Sequence, residues 1–372
     1  MPNLPNISII FAFRDRDYLR VKRCLDSLAE QTYKDIEVLF IDYGSQRNTK
    51  QCISELVKSY SFTKYLYIYT EGMIWNKPHA LNIGIQKAIS PYILIGDIDL
   101  IYSTQAIDAL WNNRDKEGVV CPEVLNLLPK NMSMRNLKST NDIRAFLLVR
   151  REVLIQIRGF DEYYCFWGVE DRDLYSRLTY VMRMPCMLLD ETKCRIYHQW
   201  HPIVSDRKKG FFPDRWWDDM NIYYAININN VIRNTEGWGR LLTEEDRPIF
   251  TAIETSYDIP YTIANSYQKA SVYESIITSV MQLKQNECLS VRVRIPKHYR
   301  LLYKSLHFIN SILRKIRFPV GFDEMTSVER ERFFYPRYDI LYLIWHLIKK
   351  EGLIRDYHIQ SQKDQITIKL MR

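Results

Sequence analysis

The 372-residue sequence contains no run of about 18 apolar residues, so no segment of it reads as a membrane-spanning helix. It has no CxxC pair, and its seven cysteines (Cys24, Cys52, Cys121, Cys165, Cys186, Cys194 and Cys288) follow no regular spacing. Their number is odd and no signal peptide is apparent, which points to free thiols in a reducing, cytoplasmic compartment. Neither GxGxxG nor GxxxxGK[ST] follows the first strand-like segment, which argues against a Rossmann dehydrogenase or a P-loop enzyme. Internal repeats and low-complexity tracts are also missing.

The length suits one large domain, or one domain with a smaller companion. The content, 47% hydrophobic and 26% charged, is that of an ordinary globular protein. Aromatic residues reach 13%, with 26 tyrosines; such surfaces suit sugar faces, although tyrosine fills cores equally well. The formal charge is +8. Between Lys284 and Arg317 stand nine basic residues and one acid, Glu287, an excess equal to that of the whole chain. A single basic segment indicates a local surface for an anionic partner, or a solvated face, rather than a protein basic throughout.

ISIIFAF (7–13), IEVLFID (36–42), YLYIY (65–69) and YILIG (92–96) read as strands. Between them, residues 17–31, 49–60 and 77–89 read as helices, the first placing Val21, Cys24, Leu25 and Leu28 on one face. Strands rich in Ile, Val and Leu that alternate with amphipathic helices predict an α/β fold with a mostly parallel sheet covered on both faces. Ligands of such sheets bind beyond the carboxyl ends of the strands, where Arg14, Asp42, Asp97 and Asp99 fall. The character changes near residue 240. Residues 266–283, 301–316 and 337–350 read as helices, the middle one basic and amphipathic. VRVRI (291–295) reads as a strand, TSVE (326–329) as a capping box, and YHIQ with ITIKL as a hairpin. Residues 241–372 are expected to form a smaller α/β or helical appendage.

Three constellations carry chemistry. In ILIGDIDL, a strand running into alternate aspartates would put both carboxylates on one face. Their repulsion, roughly 1–4 kcal/mol at ~4 Å, is removed by a divalent cation; a pair of caps or turn formers before the next helix is the plainer alternative. In GFDEYYCFWGVEDRDL, a glycine beside Trp167 lets the backbone approach a ligand and leaves the indole open to a sugar face. A neighbouring carboxylate can accept a hydroxyl proton, while acids there also suit the first turn of a helix. In IYHQWHP, two histidines three positions apart add ligands that manganese tolerates beside carboxylate and phosphate oxygens.

These motifs, in this order over roughly residues 5–205, resemble family 2 glycosyltransferases. The resemblance is greatest to the branch that shares its carboxyl-terminal motif with β-1,4-galactosyltransferases and bacterial chondroitin polymerases. It implies a GT-A type Rossmann-like fold for residues 1–240. It further implies Arg14 and Arg16 of FRDR, Asp42 of IDYGS, and Trp75 and Lys77 of WNKPHALNIGI beside a uridine nucleotide. Asp99 and His198 are implied as ligands of Mn2+ or Mg2+, with His201 the second choice to His198, and Asp97 is implied to orient ribose or donor sugar, with metal ligation as its second role. Trp167, Gly168 and Glu170 would hold sugar, and Asp171 would be the base. Asp rather than Asn after Glu170 favours inversion at the anomeric carbon.

The sequence departs from the family pattern in three places. Tyr43 replaces a second acid, Val169 a second glycine, and Arg172 an acid. The implied activity is transfer of a hexose or N-acetylhexosamine from a UDP-sugar to a glycan or lipid-linked glycan, in bacterial surface polysaccharide synthesis. The basic helix at 301–316 is a candidate for contact with anionic lipid at the inner face of the membrane. Two other functions fit the sequence less well. A silent carbohydrate- or nucleotide-binding protein on this fold would lack the metal residues, and a nucleic-acid binder would not have balanced charge outside one segment.

Overall fold

A computed structural model describes residues 4–135, 137–140, 146–166, 168–201, 214–250, 252–255, 266–294, 336–349, 352–362 and 365–372. The chain divides into two compact units. One is built on Met1–Glu71, Trp75–Pro202 and Asp218–Arg247, the other on Gly72–Ile74, Ile203–Trp217 and Pro248–Arg372. Two short segments, Gly72–Ile74 and Ile203–Trp217, fall in the second unit although they interrupt the first in sequence.

In the first unit, β1 (Ile7–Phe13), α1 (Tyr18–Ala29), β2 (Ile36–Asp42), α2 (Arg47–Lys58), β3 (Thr63–Tyr67), α3 (Lys77–Lys87) and β4 (Tyr92–Ile95) alternate as the hydrophobic pattern predicts. β5 (Leu100–Tyr102), α4 (Ala106–Asn112), β6 (Val119–Pro122), β7 (Leu125–Leu127), β8 (Lys138–Thr140), β9 (Leu147–Arg150) and α5 (Arg151–Gln156) follow. The unit continues with α6 (Glu170–Ser176), one π-helical turn over Arg177–Val181, β10 (Cys186–Leu189), β11 (Ile196–His198) and, from Asp218 onward, α7 (Asp214–Asn227). Seven strands form a sheet in the order β10-β6-β9-β4-β1-β2-β3. It is parallel except at β9, which pairs antiparallel with β4 and β6. The central strands β1, β2 and β4 are buried nearly throughout, as expected where helices cover both faces. α1 buries the stripe Val21, Cys24, Leu25 and Leu28 and is capped by Asp17, whose side chain accepts from Arg20 N, one donor otherwise left unpaired. The antiparallel register of β4 with β9 joins Ile95 to Leu147, so the carboxyl edge of β4 lies beside the start of β9. A small second sheet, β5-β11-β7-β8, carries the histidine segment back against β5, with His198 opposite Leu100.

In the second unit, β12 (Ala252–Thr255), β13 (Cys288–Arg294), β14 (Asp356–Ser361) and β15 (Gln365–Met371) form a sheet in the order β12-β13-β15-β14, accompanied by α8 (Ser266–Gln282) and α9 (Pro336–Lys349). β14 and β15 form an antiparallel pair, as the hairpin pattern predicts. The expected basic helix at 301–316 and the capping box at 326–329 lie outside the described residues.

Candidate functional site

Asp97 and Asp99 do not lie on a strand edge. They occupy the turn between β4 and β5, where Asp99 N donates to Asp97 Oδ1 at 3.4 Å. The turn enters tightly because a Cβ on Gly96 would meet the Phe11 ring at 2.7 Å and the Tyr102 hydroxyl at 2.9 Å. Asp99 is buried and Asp97 partly exposed. Gln199 N donates to the Asp99 carbonyl at 2.8 Å, which ties the histidine segment to this turn. His201 Nε2 then lies 3.3 Å from Asp99 Oδ2, and the His198 and His201 rings lie 5.1 Å apart. Asp99, His198 and His201 each offer one ligand atom, all within 4.8 Å of one another. One carboxylate oxygen with two imidazole nitrogens fits a divalent ion such as manganese. Burial pushes the His198 imidazole below its usual range against the pull of Asp99 and Asp97, favouring the neutral form that ligates. Burial first, and then Asp97, push the Asp99 carboxyl upward, while His201, Arg20 and Arg16 oppose this.

Lys77 stands at the meeting point of three acids. Its Nζ lies 3.3 Å from Asp171 Oδ2 and 3.8 Å from both Asp97 Oδ2 and Glu170 Oε1. Burial would lower its pKa, but Asp171, Asp97 and Glu170 outweigh that and hold it well above the usual lysine range. Glu170 is buried, and burial with the Asp171 charge raises its carboxyl to about 7, with Lys77 pulling the other way.

The segment carrying these acids is pinned from two sides. On one side, the Asn76 side chain caps α3 by accepting from His79 N and donates to the Glu162 carbonyl, both at 2.9 Å. Asn82 exchanges hydrogen bonds with Phe160, accepting from its N and donating to its carbonyl, each at 2.8 Å. Gly159 adopts φ +60°, and a Cβ there would meet Asn82 Oδ1 at 2.1 Å, so this approach requires glycine. On the other side, Asp173 is fully buried between Arg177 Nε at 2.8 Å and Arg233 at 3.0 Å. Arg233 also pairs with Asp161 at 3.0 Å. Between the two anchors Phe166, Gly168 and Val169 all take positive φ, at 64°, 99° and 74°. A β-branched residue in that region is strained, and it stands where the family pattern has glycine. Trp167 lies outside the described residues.

The nucleotide-side expectations divide. Arg14 lies over the rings of Tyr43 at 5.0 Å and Trp75 at 5.6 Å. Its guanidinium donates to the carbonyls of Tyr43 and Thr70. Trp75 meets Tyr43 edge to face at 5.7 Å, which makes one aromatic wall two residues before Lys77. Arg16 is exposed on the loop after β1. Asp42 is fully buried, and its oxygens accept from Tyr65 Oη at 2.6 Å and Ser45 N at 2.9 Å, which braces the loop after β2.

Sequence reasoning missed Arg20, whose Nη1 lies 3.2 Å from Asp99 Oδ1, and Gln199, which bonds Asp99 and also the Arg20 carbonyl at 3.1 Å. Nothing distinguishes Arg20 from any polar residue of an amphipathic helix. Gln199, between the two histidines, could have been found from its place in the motif.

Residues 8–158 match the model of glycosyl transferase family 2, and residues 134–201 match the N-terminal domain of galactosyltransferase. The chain carries a family 2 glycosyltransferase domain. This glycosyltransferase domain is similar to a curated relative, the O-antigen biosynthesis protein RfbC of Myxococcus xanthus. That protein is 26% identical over 190 residues, which is 47% of this chain and 14% of the relative; the chain therefore spans a small part of its length. Among solved structures, GalNAc-T7 with UDP, GalNAc and Mn2+ is 14% identical with TM-score 0.41, covering 59% of this chain and 50% of that one. TarS of S. aureus is 16% identical with TM-score 0.43, covering 60% and 40%.

Proposed function

We propose that the domain is a metal-dependent, inverting glycosyltransferase. In this reading it moves a hexose or N-acetylhexosamine from a UDP-sugar to a hydroxyl of a glycan or lipid-linked glycan. The name of the RfbC relative supports a role in polysaccharide synthesis. The observation that carries the reading is the convergence, beyond the carboxyl ends of parallel strands, of two clusters joined by Asp97: Asp99 with His198 and His201, and Lys77 with Glu170 and Asp171. One suits a diphosphate and its metal; the other suits a hydroxyl and its proton.

Asp99, His198 and His201 would hold Mn2+ or Mg2+. Bound there, the ion supplies positive charge to the diphosphate leaving group. Arg14 and Trp75 supply an aromatic and cationic wall for the nucleotide, with Arg16 adding positive charge. Asp97 orients ribose or donor sugar, and Asp42 acts through the loop it braces. Asp171 accepts the proton of the acceptor hydroxyl as its oxygen bonds the anomeric carbon. The bond from that carbon to the diphosphate breaks on the opposite face, which inverts configuration. Lys77 holds Asp171 in place and offsets the charge around it. Trp167, Gly168 and Glu170 hold sugar. No helix among the described residues is long and apolar enough to cross a membrane.

Calorimetric titration of UDP with manganese and then with EDTA tests the donor half. Binding that requires manganese and is lost in Asp99→Asn is expected. Equal affinity with and without metal would remove Asp99 from a metal shell, and absence of binding with manganese would remove the UDP donor.

A further inference from the structure

Arg172 follows the proposed base and is exposed. Its guanidinium is nonetheless held: it lies 4.3 Å over the Tyr224 ring, and Nη1 donates to Asn221 Oδ1 at 3.4 Å. Both partners stand on α7, one helical turn apart. Neither is charged, and no carboxylate among the described residues forms an ion pair with Arg172 within 4.0 Å. The contrast with its neighbours is informative. In the same part of the domain Arg177 and Arg233 each pair with buried aspartates, and Lys77 meets three acids. Arg172 alone of these four cations has its charge uncompensated while its position is fixed by an aromatic face. A guanidinium fixed in this way presents its remaining N–H donors in a planar fork suited to two oxygens of one anion.

We propose that Arg172 is a specificity-determining residue that selects an acceptor sugar bearing an anionic group, a carboxylate or a phosphate, beside the hydroxyl that reacts. The proposal rests on the reading of Asp171 as the base, since Arg172 is the next residue in the same helical turn. The group acts by charge-assisted hydrogen bonding, and Tyr224 and Asn221 set its direction. A neutral acceptor would leave the cation solvated and gain nothing from it.

The test uses the full chain with UDP and manganese, and again without them, titrated with four probes: p-nitrophenyl β-glucuronide, p-nitrophenyl β-glucoside, glucose 6-phosphate and glucose. Each anionic probe is compared with its neutral partner. Tenfold or tighter binding of at least one anionic probe is expected, the size of one charge-assisted hydrogen bond. A preference for the glucuronide identifies a uronate, and a preference for glucose 6-phosphate identifies a phosphorylated sugar. Arg172→Gln should abolish the preference while affinity for the neutral probes and for UDP stays as it was, and Arg172→Lys should restore part of it. Equal binding of charged and neutral probes by the unaltered chain, failure of all four to bind, or a preference that survives Arg172→Gln would overturn the proposal. Loss of UDP binding by the unaltered chain would instead count against the donor site, and the probe comparison without UDP still decides the role of Arg172.

Discussion

Replacing Glu170 by glutamine should make the domain more stable, and increasingly so as the pH rises. Glu170 is buried, and its Oε2 has no hydrogen-bond partner among the described residues. Burial and the adjacent Asp171 raise its carboxyl from an ordinary 4.5 to about 7. A carboxyl with a raised pKa in the folded state binds its proton more tightly there than in the unfolded chain. Its stabilising contribution is therefore complete below the unfolded value of 4.5 and is lost as pH rises through about 7. The gap between the two values corresponds to about 3 kcal/mol once the group is fully ionised. Glutamine has no charge to form, so its advantage over the parent should be about 1 kcal/mol at pH 5 and about 3 kcal/mol at pH 8. Urea denaturation of both proteins at several pH values between 5 and 9 reads this directly. An advantage that does not change with pH, or a variant less stable at pH 8, would refute the claim that an ionised Glu170 is held at a cost. The same variant should bind acceptor sugars less well, because a functional acid is commonly retained against stability.

Val169→Gly should change stability by no more than about 1 kcal/mol, because relief of the strain at φ 74° offsets the loss of a buried side chain; a loss above about 2 kcal/mol in urea denaturation would show that strain at this position is negligible. Arg233→Met should cost about 3–5 kcal/mol, since Asp161 loses its arginine and Asp173 one of two; a loss under 1 kcal/mol in the same assay would remove this network as an anchor. Asp171→Asn should retain UDP affinity within about twofold while turnover falls by about two orders of magnitude or more; normal turnover would remove Asp171 as the base.

The central sheet was legible because β1, β2 and β4 are continuous runs of Ile, Val, Leu and Phe between helices of clear period, and such runs have few alternatives. β9 was not, because four residues, Leu147–Arg150, pair antiparallel with β4 across a long stretch of chain, and nothing local encodes that direction. The aspartate pair was legible as chemistry but misplaced as geometry. Its turn arises from Phe11 and Tyr102 crowding Gly96, a contact between residues distant in sequence. The two histidines were legible as a pair, while the approach of His201 to Asp99 goes with the backbone bond from Gln199 to the Asp99 carbonyl. Lys77 was legible as a cation near the nucleotide; its place between Asp97, Glu170 and Asp171 became visible only when α3 and α6 were brought together. Asp42 was legible as a residue type suited to a ligand; its bonds from Tyr65 and Ser45 were not.

The short helix α6 shows why acids in a first turn could be read in two ways, as helix formers or as chemistry. Glu170, Asp171 and Asp173 occupy three of its first four positions, and they have different partners. Asp173 turns inward, where Arg177 and Arg233 neutralise it without exposure to water; burial of a carboxylate is tolerable only with such partners. Glu170 and Asp171 share one lysine, which also serves Asp97. One cation among three acids leaves net negative charge, the arrangement that raises Glu170 and that a bound cation or a proton from a hydroxyl would relieve. The fully paired acid anchors the helix, and the underpaired acids are the ones proposed above to serve the acceptor. The positions of charge compensation, more than the presence of acids, therefore separate the part of the motif that holds the fold from the part proposed to serve transfer.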